Sequence, residues 1–208
     1  MKVFCQLFFV ASIFVLGACN QPKTEVIGIE NGVQFKMNNL SVNVQFQTEN
    51  IVRITKWNNE GSPQKKSLVV VENMLPNIEV KNVETDRELV LSTDVLVLTI
   101  DKKSGNIAFA TNDSNFLLKE NAVPLFKAVE YDGDKGFSIN QQFELSPDEG
   151  IYGLGQHQYG YFNYRGKEVK LVQSNTDAVN PFLISTNNYG ILWDNYSMTI
   201  FNDDENGT

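Results

Sequence analysis

Val42, Val44 and Phe46 alternate with Asn43, Gln45 and Gln47 along Leu40 to Gln47. That period of two is the mark of a half-buried strand. Ile51 to Trp57 follows directly after Glu49-Asn50 and is read as its hairpin partner. Asn58 to Pro63 is a cluster of turn residues. Beyond it lie a short β-branched run, Ser67 to Val71, and strands at Glu88 to Leu91 and Val95 to Ile100. The last of these is apolar enough to predict burial on both faces. Asp101 to Asn106 turns the chain into Ile107 to Ala110. Phe126 to Tyr131 and Phe137 to Leu145 flank Asp132 to Gly136 as another hairpin, and Ile191 to Phe201 closes the series. No segment sustains a helical period, and no internal repeat is visible. Many short strands divided by turn signals predict an all-β fold, an antiparallel β-sandwich.

The amino terminus breaks this pattern. Lys2 precedes an apolar run from Phe4 to Leu16, too short to span a bilayer as a mature helix. It reads as the core of a signal peptide over residues 1–18. Leu16-Gly17-Ala18-Cys19 resembles a bacterial lipoprotein lipobox, with Cys19 as the acylated residue. A plain secretory signal with a chance cysteine is the alternative. On the lipobox reading Cys5 leaves with the signal, residues 19–25 form a tether, and residues 26–208 form the folded domain. The mature chain would then sit in the cell envelope, lipid-anchored to a bacterial membrane, periplasmic or at the cell surface.

Composition narrows the function. The 208 residues carry 17 basic and 25 acidic side chains, two cysteines and one histidine. Loss of Lys2 with the signal moves the net charge from -8 to -9. Such a chain lacks the clustered cations that nucleic-acid binding needs. It also lacks the cysteines and histidines for a disulfide framework or a metal site, and no cofactor is expected.

Residues 150–196 stand apart. Six of the seven tyrosines lie there, with Phe162, Phe182, Trp193 and the sole histidine, His157. Aromatic faces stack on sugar rings, and amides and carboxylates grip hydroxyls. Gln156, Gln158, Asn163, Gln173, Asn175, Asp177 and Asn180 supply the latter. The competing explanation is that tyrosines simply favour sheets. Gly153-Leu154-Gly155 is not a dinucleotide loop, because Gln158 stands where a third glycine would be needed and no βαβ unit follows. His157 has neither an identifiable nucleophile nor an orienting partner, so a structural or rim hydrogen-bonding role is expected.

Glu149-Gly150-Ile151-Tyr152-Gly153-Leu154-Gly155-Gln156-His157-Gln158-Tyr159-Gly160 resembles the signature of the amino-terminal domain of glycoside hydrolase family 31. Asn163 to Lys167, Gln173 to Thr176, Asn180 to Ser185 and Tyr189 to Ser197 continue the resemblance in order. The flavour is that of bacterial α-xylosidases and α-glucosidases. The resemblance implies a sandwich of the galactose-mutarotase-like type, a supersandwich that packs on a TIM barrel. It implies that the loop around Asn175 to Asn180 reaches the mouth of the barrel's sugar pocket. Asn175, Thr176 and Asp177 are therefore the candidate contacts to an α-linked xylose or glucose oligosaccharide. The Gly153 to Gln156 turn would shape the base of that loop or the barrel interface. Trp193 and Asp194 would be core and interface residues.

Family members are retaining glycosidases whose two catalytic aspartates lie on the barrel, one in a Trp-x-Asp-Met motif. Trp57-Asn58-Asn59 and Trp193-Asp194-Asn195 do not match it. A barrel of about 250 residues exceeds the whole chain. The expectation is a non-catalytic front part of a longer glycosidase, with the missing barrel of the same gene as its partner. The alternative is a stand-alone, lipid-anchored carbohydrate-binding module. A sugar epimerase on the related fold would want a histidine acid paired with a carboxylate base, and is disfavoured.

Overall fold

The structure, a computed structural model, describes residues 25–37, 39–59, 61, 66–71 and 75–203. The expected signal, Cys19 and most of the tether fall outside these residues. The described residues contain strands and no helix.

The first sheet is a meander of β1 (Val26–Ile29), β2 (Gly32–Met37), β3 (Leu40–Thr48) and β4 (Ile51–Asn58), each antiparallel to the next. The second begins with β5 (Lys81–Glu84), β6 (Glu88–Ser92), β7 (Leu96–Asp101), β8 (Ile107–Thr111) and β9 (Phe116–Glu120). After β9 the chain leaves as a two-stranded ribbon, β10 (Leu125–Tyr131) and β11 (Asp134–Asn140). It then returns to lay β12 (Phe143–Glu144) beside β9, giving the order β12-β9-β8-β7-β6-β5.

Alternation along the strands joins these two sheets face to face. Val42, Val44 and Phe46 of β3 have no exposed surface, and Phe35 of β2 lies beside them. Against them pack Leu89 and Leu91 of β6, Leu98 and Ile100 of β7 and Ile107 of β8. Burying each such side chain contributes about 1.5–3 kcal/mol. The result is a β-sandwich.

Two expectations are corrected, and one β-branched run stays out of the sheets. β7 is buried on one face only, since Leu96, Leu98 and Ile100 point into the core while Val97 and Thr99 are half-exposed. In a two-layer sandwich one face of the strand meets the opposite sheet, and among the described residues the other face is only partly covered. Leu68 to Val71 form no strand and are exposed. β-branched residues make strands only with a ladder partner. Here Ser67 Oγ instead accepts the Val70 amide at 2.9 Å, and the Tyr196 hydroxyl accepts the Leu68 amide. Ile191 to Phe201 is two strands in two sheets, β16 (Gly190–Leu192) and β17 (Thr199–Asn202). The Asn195 side chain ends the first by bonding the Ser197 amide and the Thr199 hydroxyl, at 3.2 Å each.

The remaining strands build a second, smaller core. β13 (Ile151–Gln156) pairs with β15 (Ala178–Ser185), which pairs with β16. β14 (Glu168–Leu171) pairs with β17. Ile151, Leu154, Tyr164, Val169 and Leu171 are buried together between them. Asp194, past β16, ties this unit to the first sheet: it lies 3.7 Å from the Arg53 guanidinium and accepts from Ser67 Oγ at 3.2 Å.

The β7–β8 turn carries a testable acid sensitivity. Asp101 Oδ1 accepts the Lys103 amide at 2.9 Å and the Ser104 amide at 2.6 Å. The Ser104 amide is the main reason the carboxyl sits below its ordinary range. A depressed folded value stabilises the protein above the unfolded carboxylate value and is lost as pH falls through the folded one. Chemical denaturation should show wild type losing its advantage over Asp101→Asn below about pH 4. An advantage that persists unchanged into stronger acid would contradict this.

Candidate functional site

The site grows from an irregularity in β13. Gly153, Leu154 and Gly155 all take positive φ, at 99°, 59° and 96°. The β13–β15 register shifts across them, from Gly153 opposite Leu183 to Gly155 opposite Val179. This is a β-bulge with its extra residues on β15, and the close backbone leaves no room for a side chain at Gly153 or Gly155. A Cβ on Gly155 would lie 2.1 Å from the Ala178 carbonyl oxygen, and one on Gly153 2.5 Å from that of Phe182. The bulge drops Leu154 into the second core. It also turns the Leu154 carbonyl toward His157, whose Nε2 lies 2.9 Å away.

The other ring nitrogen of His157 meets the candidate loop. Nδ1 is 3.2 Å from Asp177 Oδ1, and the histidine side chain is 1% exposed. Asp177 closes the loop between β14 and β15 on itself. Its Oδ2 accepts Ser174 Oγ at 2.9 Å and Thr176 Oγ1 at 3.2 Å. Ser174 Oγ in turn accepts the Thr176 amide at 3.3 Å. The Ser174 hydroxyl foremost, then Thr176 and His157, hold the Asp177 carboxyl below its ordinary value. The loop stands out from the body, with Asn175 and Thr176 exposed. Asp177 keeps capacity for one further hydrogen bond, since a carboxylate offers about four acceptor sites.

The aromatic residues are arranged differently from a sugar-stacking platform. Tyr159 lies parallel to His157 at 5.1 Å and nearly parallel to Tyr161 at 5.6 Å, though it keeps 42% of its surface exposed. Tyr164 meets Tyr161 and His157 edge-on, at 5.8 and 6.3 Å. The Lys167 ammonium lies 5.4 Å above Tyr161. This stack buttresses His157. Other outward aromatic rings lie beyond this stack: Phe162, 86% exposed, and Tyr152 and Phe182 on the outer face of β13 and β15.

A second polar cluster sits behind the bulge and was not legible in the sequence. Glu149 is buried and accepts the Ser185 hydroxyl at 2.5 Å, the Tyr189 hydroxyl and the Ser146 amide at 2.8 Å. Burial first, then the Glu149 carboxylate, pushes the Tyr189 hydroxyl well above its ordinary value. Arg165 pairs with Asp203 through Nε at 2.8 Å and donates to the Ser146 and Glu149 carbonyls. Glu149, Arg165 and Asp203 line, with Asp148, Tyr152 and Asn163, an open concavity of about 660 Å³. Glu149 and Arg165 lie inside the family-like string, but their residue types do not reveal Glu149 as a buried strut or Arg165 as its half-buried neighbour. Among the described residues, no three His, Cys, Asp or Glu side chains gather to hold a metal ion.

Comparison with known proteins gives the family of the fold. Residues 41–202 match the family described as the glycosyl hydrolase 31 N-terminal galactose mutarotase-like domain. The chain is 33% identical over 178 residues to an α-xylosidase of Saccharolobus solfataricus, covering 78% of this chain and 23% of that protein. The crystal structure of a family 31 α-xylosidase from Xanthomonas citri superposes with a TM-score of 0.78 at 29% identity, over 83% of this chain and 19% of that one. A Flavobacterium johnsoniae family 31 dextranase, solved with isomaltotriose, gives 0.67 at 25% identity, over 87% of this chain and 23% of that one. The chain thus spans about a fifth to a quarter of the length of these relatives. With a mutarotase-like sandwich and a match over most of its length, the chain belongs to the glycosyl hydrolase 31 amino-terminal domain family.

Proposed function

We propose that this chain serves as the non-catalytic amino-terminal domain of a retaining α-glycosidase of the α-xylosidase or α-glucosidase type. In this reading its loop at residues 173–177 helps shape a pocket for an α-linked oligosaccharide. The observation that carries the reading is the loop itself. It is tied down through Asp177, yet it presents Asn175 and Thr176 to solvent. An amide and a hydroxyl held at fixed positions suit the hydroxyls of a sugar ring. Retaining hydrolysis needs two carboxyls about 5–5.5 Å apart, which this reading assigns to the barrel. The outer face of β13, β15 and β16 supports a neighbouring domain. Tyr152 is opposite Ile184 and Phe182 opposite Leu192, and all four are exposed, at 38–49%.

The test is a titration of the 208-residue chain with xylose, followed by the amide resonances. Binding should be weak, in the millimolar range, about -4 kcal/mol, because half a pocket excludes little water. Shifts should centre on Ser174, Asn175 and Thr176, and Asn175→Ala should weaken binding several-fold. Shifts centred on Phe162 or Tyr152 instead would overturn the loop assignment. Micromolar affinity would favour a stand-alone binding module.

The lipid anchor is a separate part of the proposal and rests on Leu16-Gly17-Ala18-Cys19. Labelled palmitate should enter the wild-type protein in bacterial cells and be absent from Cys19→Ala.

A further inference from the structure

The three hydrogen bonds on Asp177 divide unequally. Two, from Ser174 and Thr176, stay inside the loop. The third leaves it, to the ring of His157 at the end of β13. We propose that His157 is the positioning residue of the 173–177 loop, and that Asp177 is chiefly its clamp while Asn175 is the group presented. The proposal deepens the sugar-contact reading above and rests on it for its purpose, though not for its existence.

The chemistry of the two nitrogens supports the assignment. The Leu154 oxygen is a carbonyl and only accepts, so Nε2 carries the proton of that 2.9 Å contact. Nδ1 must then donate a second proton to bond the Asp177 carboxylate. Hydrogen bonds to a charged acceptor are the stronger ones, so the contact to the Asp177 carboxylate is the one that ties the loop to β13. The ring is poorly placed to turn away. Tyr159 covers one face and the edge of Tyr164 closes another side. The bulge that aims the Leu154 carbonyl holds three successive residues at positive φ. Besides Asp177, the titratable groups around the ring are the hydroxyls of Tyr159, Tyr161 and Tyr164, with the Lys167 ammonium above Tyr161. Of these, Asp177 is the one hydrogen-bonded to the ring. The clamp is therefore a charge-assisted histidine–carboxylate contact between the end of β13 and the loop.

Amide hydrogen exchange of the 208-residue chain and its variants, read by NMR at a single pH, tests this. The Ser174 and Thr176 amides should exchange about tenfold or more faster in His157→Gln than in wild type, since hydrogen bonds to charged groups are the strong ones. Asp177→Asn should accelerate them as well, because the carboxylate that gathers the loop is gone. Val169 and Leu171 in β14 should stay within about twofold of wild type in both variants. Ser174 and Thr176 rates unchanged in both variants would overturn the clamp. Should His157→Gln unfold the second core, Asp177→Asn still decides. Xylose takes no part in this measurement. If the exchange pattern holds while xylose leaves residues 174–176 unshifted, the sugar-contact reading fails and the clamp stands.

Discussion

Gly155→Ala is expected to lower the unfolding free energy by about 3 kcal/mol or more. The new methyl would meet the Ala178 oxygen at 2.1 Å, the Asn180 nitrogen at 2.7 Å and the Val179 Cα at 2.9 Å. All three are backbone atoms of β15, so no side-chain rotation relieves the clash. The residue also sits at φ 96°, where an alanine is strained even in open space. The neighbouring strand must move, and Ala178 is the residue directly after Asp177. Urea denaturation measures the loss, and the xylose titration should show weakened binding in the same variant. Gly160→Ala is the control. It shares a positive φ but has nothing within 4 Å of the added carbon, so it carries strain without the clash. Equal losses in the two variants would show that strain, and not close approach, governs the site.

Lys56→Met is expected to cost about 3–5 kcal/mol, because it leaves a charge without its partner in the interior. Lys56 on β4 and Glu120 on β9 meet at 2.5 Å, with side chains 10% and 4% exposed, joining the two sheets of the sandwich. Lys56 also donates to Gln141 at 3.3 Å, and Glu120 Oε2 accepts the Ile107 amide at 2.9 Å. Burial pushes the Lys56 ammonium down and the Glu120 carboxyl up, while their attraction opposes both. The double variant Lys56→Met/Glu120→Gln should recover much of the loss. Glutamine keeps an acceptor for the Ile107 amide and leaves no charge behind. Thermal or urea unfolding of the three proteins gives the answer, and a double variant no better than Lys56→Met would refute the unpaired-charge explanation.

The two variants probe different kinds of information in the chain. Alternation in β3 is local. Val42, Val44 and Phe46 each need only a covered face, so their burial follows from residue type at a period of two. The β3–β4 and β10–β11 hairpins are local as well, because their turns lie between the strands they join. Gly153-Leu154-Gly155 is different. Two glycines one residue apart suit many loops, and only the facing carbonyls of Phe182 and Ala178 show why these positions exclude a side chain. His157 is similar. Its partners, Leu154 and Asp177, lie three residues before it and twenty after it, and the bulge brings them together.

What the sequence determined by itself was the class of fold and the family. Both are written in short-range patterns: alternating strands, turn clusters, and an ordered string of motifs from Glu149 to Ser197 that agrees with a family match over residues 41–202. What only the tertiary structure decided was the assignment of roles within that string. Polar side chains in that string end as strut, clamp or presented group according to what the rest of the fold places against them. Glu149 is buried under two hydroxyls, Asp177 is held by His157, and Asn175, two residues earlier, stands in solvent. Those differences arise from contacts twenty to forty residues apart in sequence, which hydrophobic patterning does not encode.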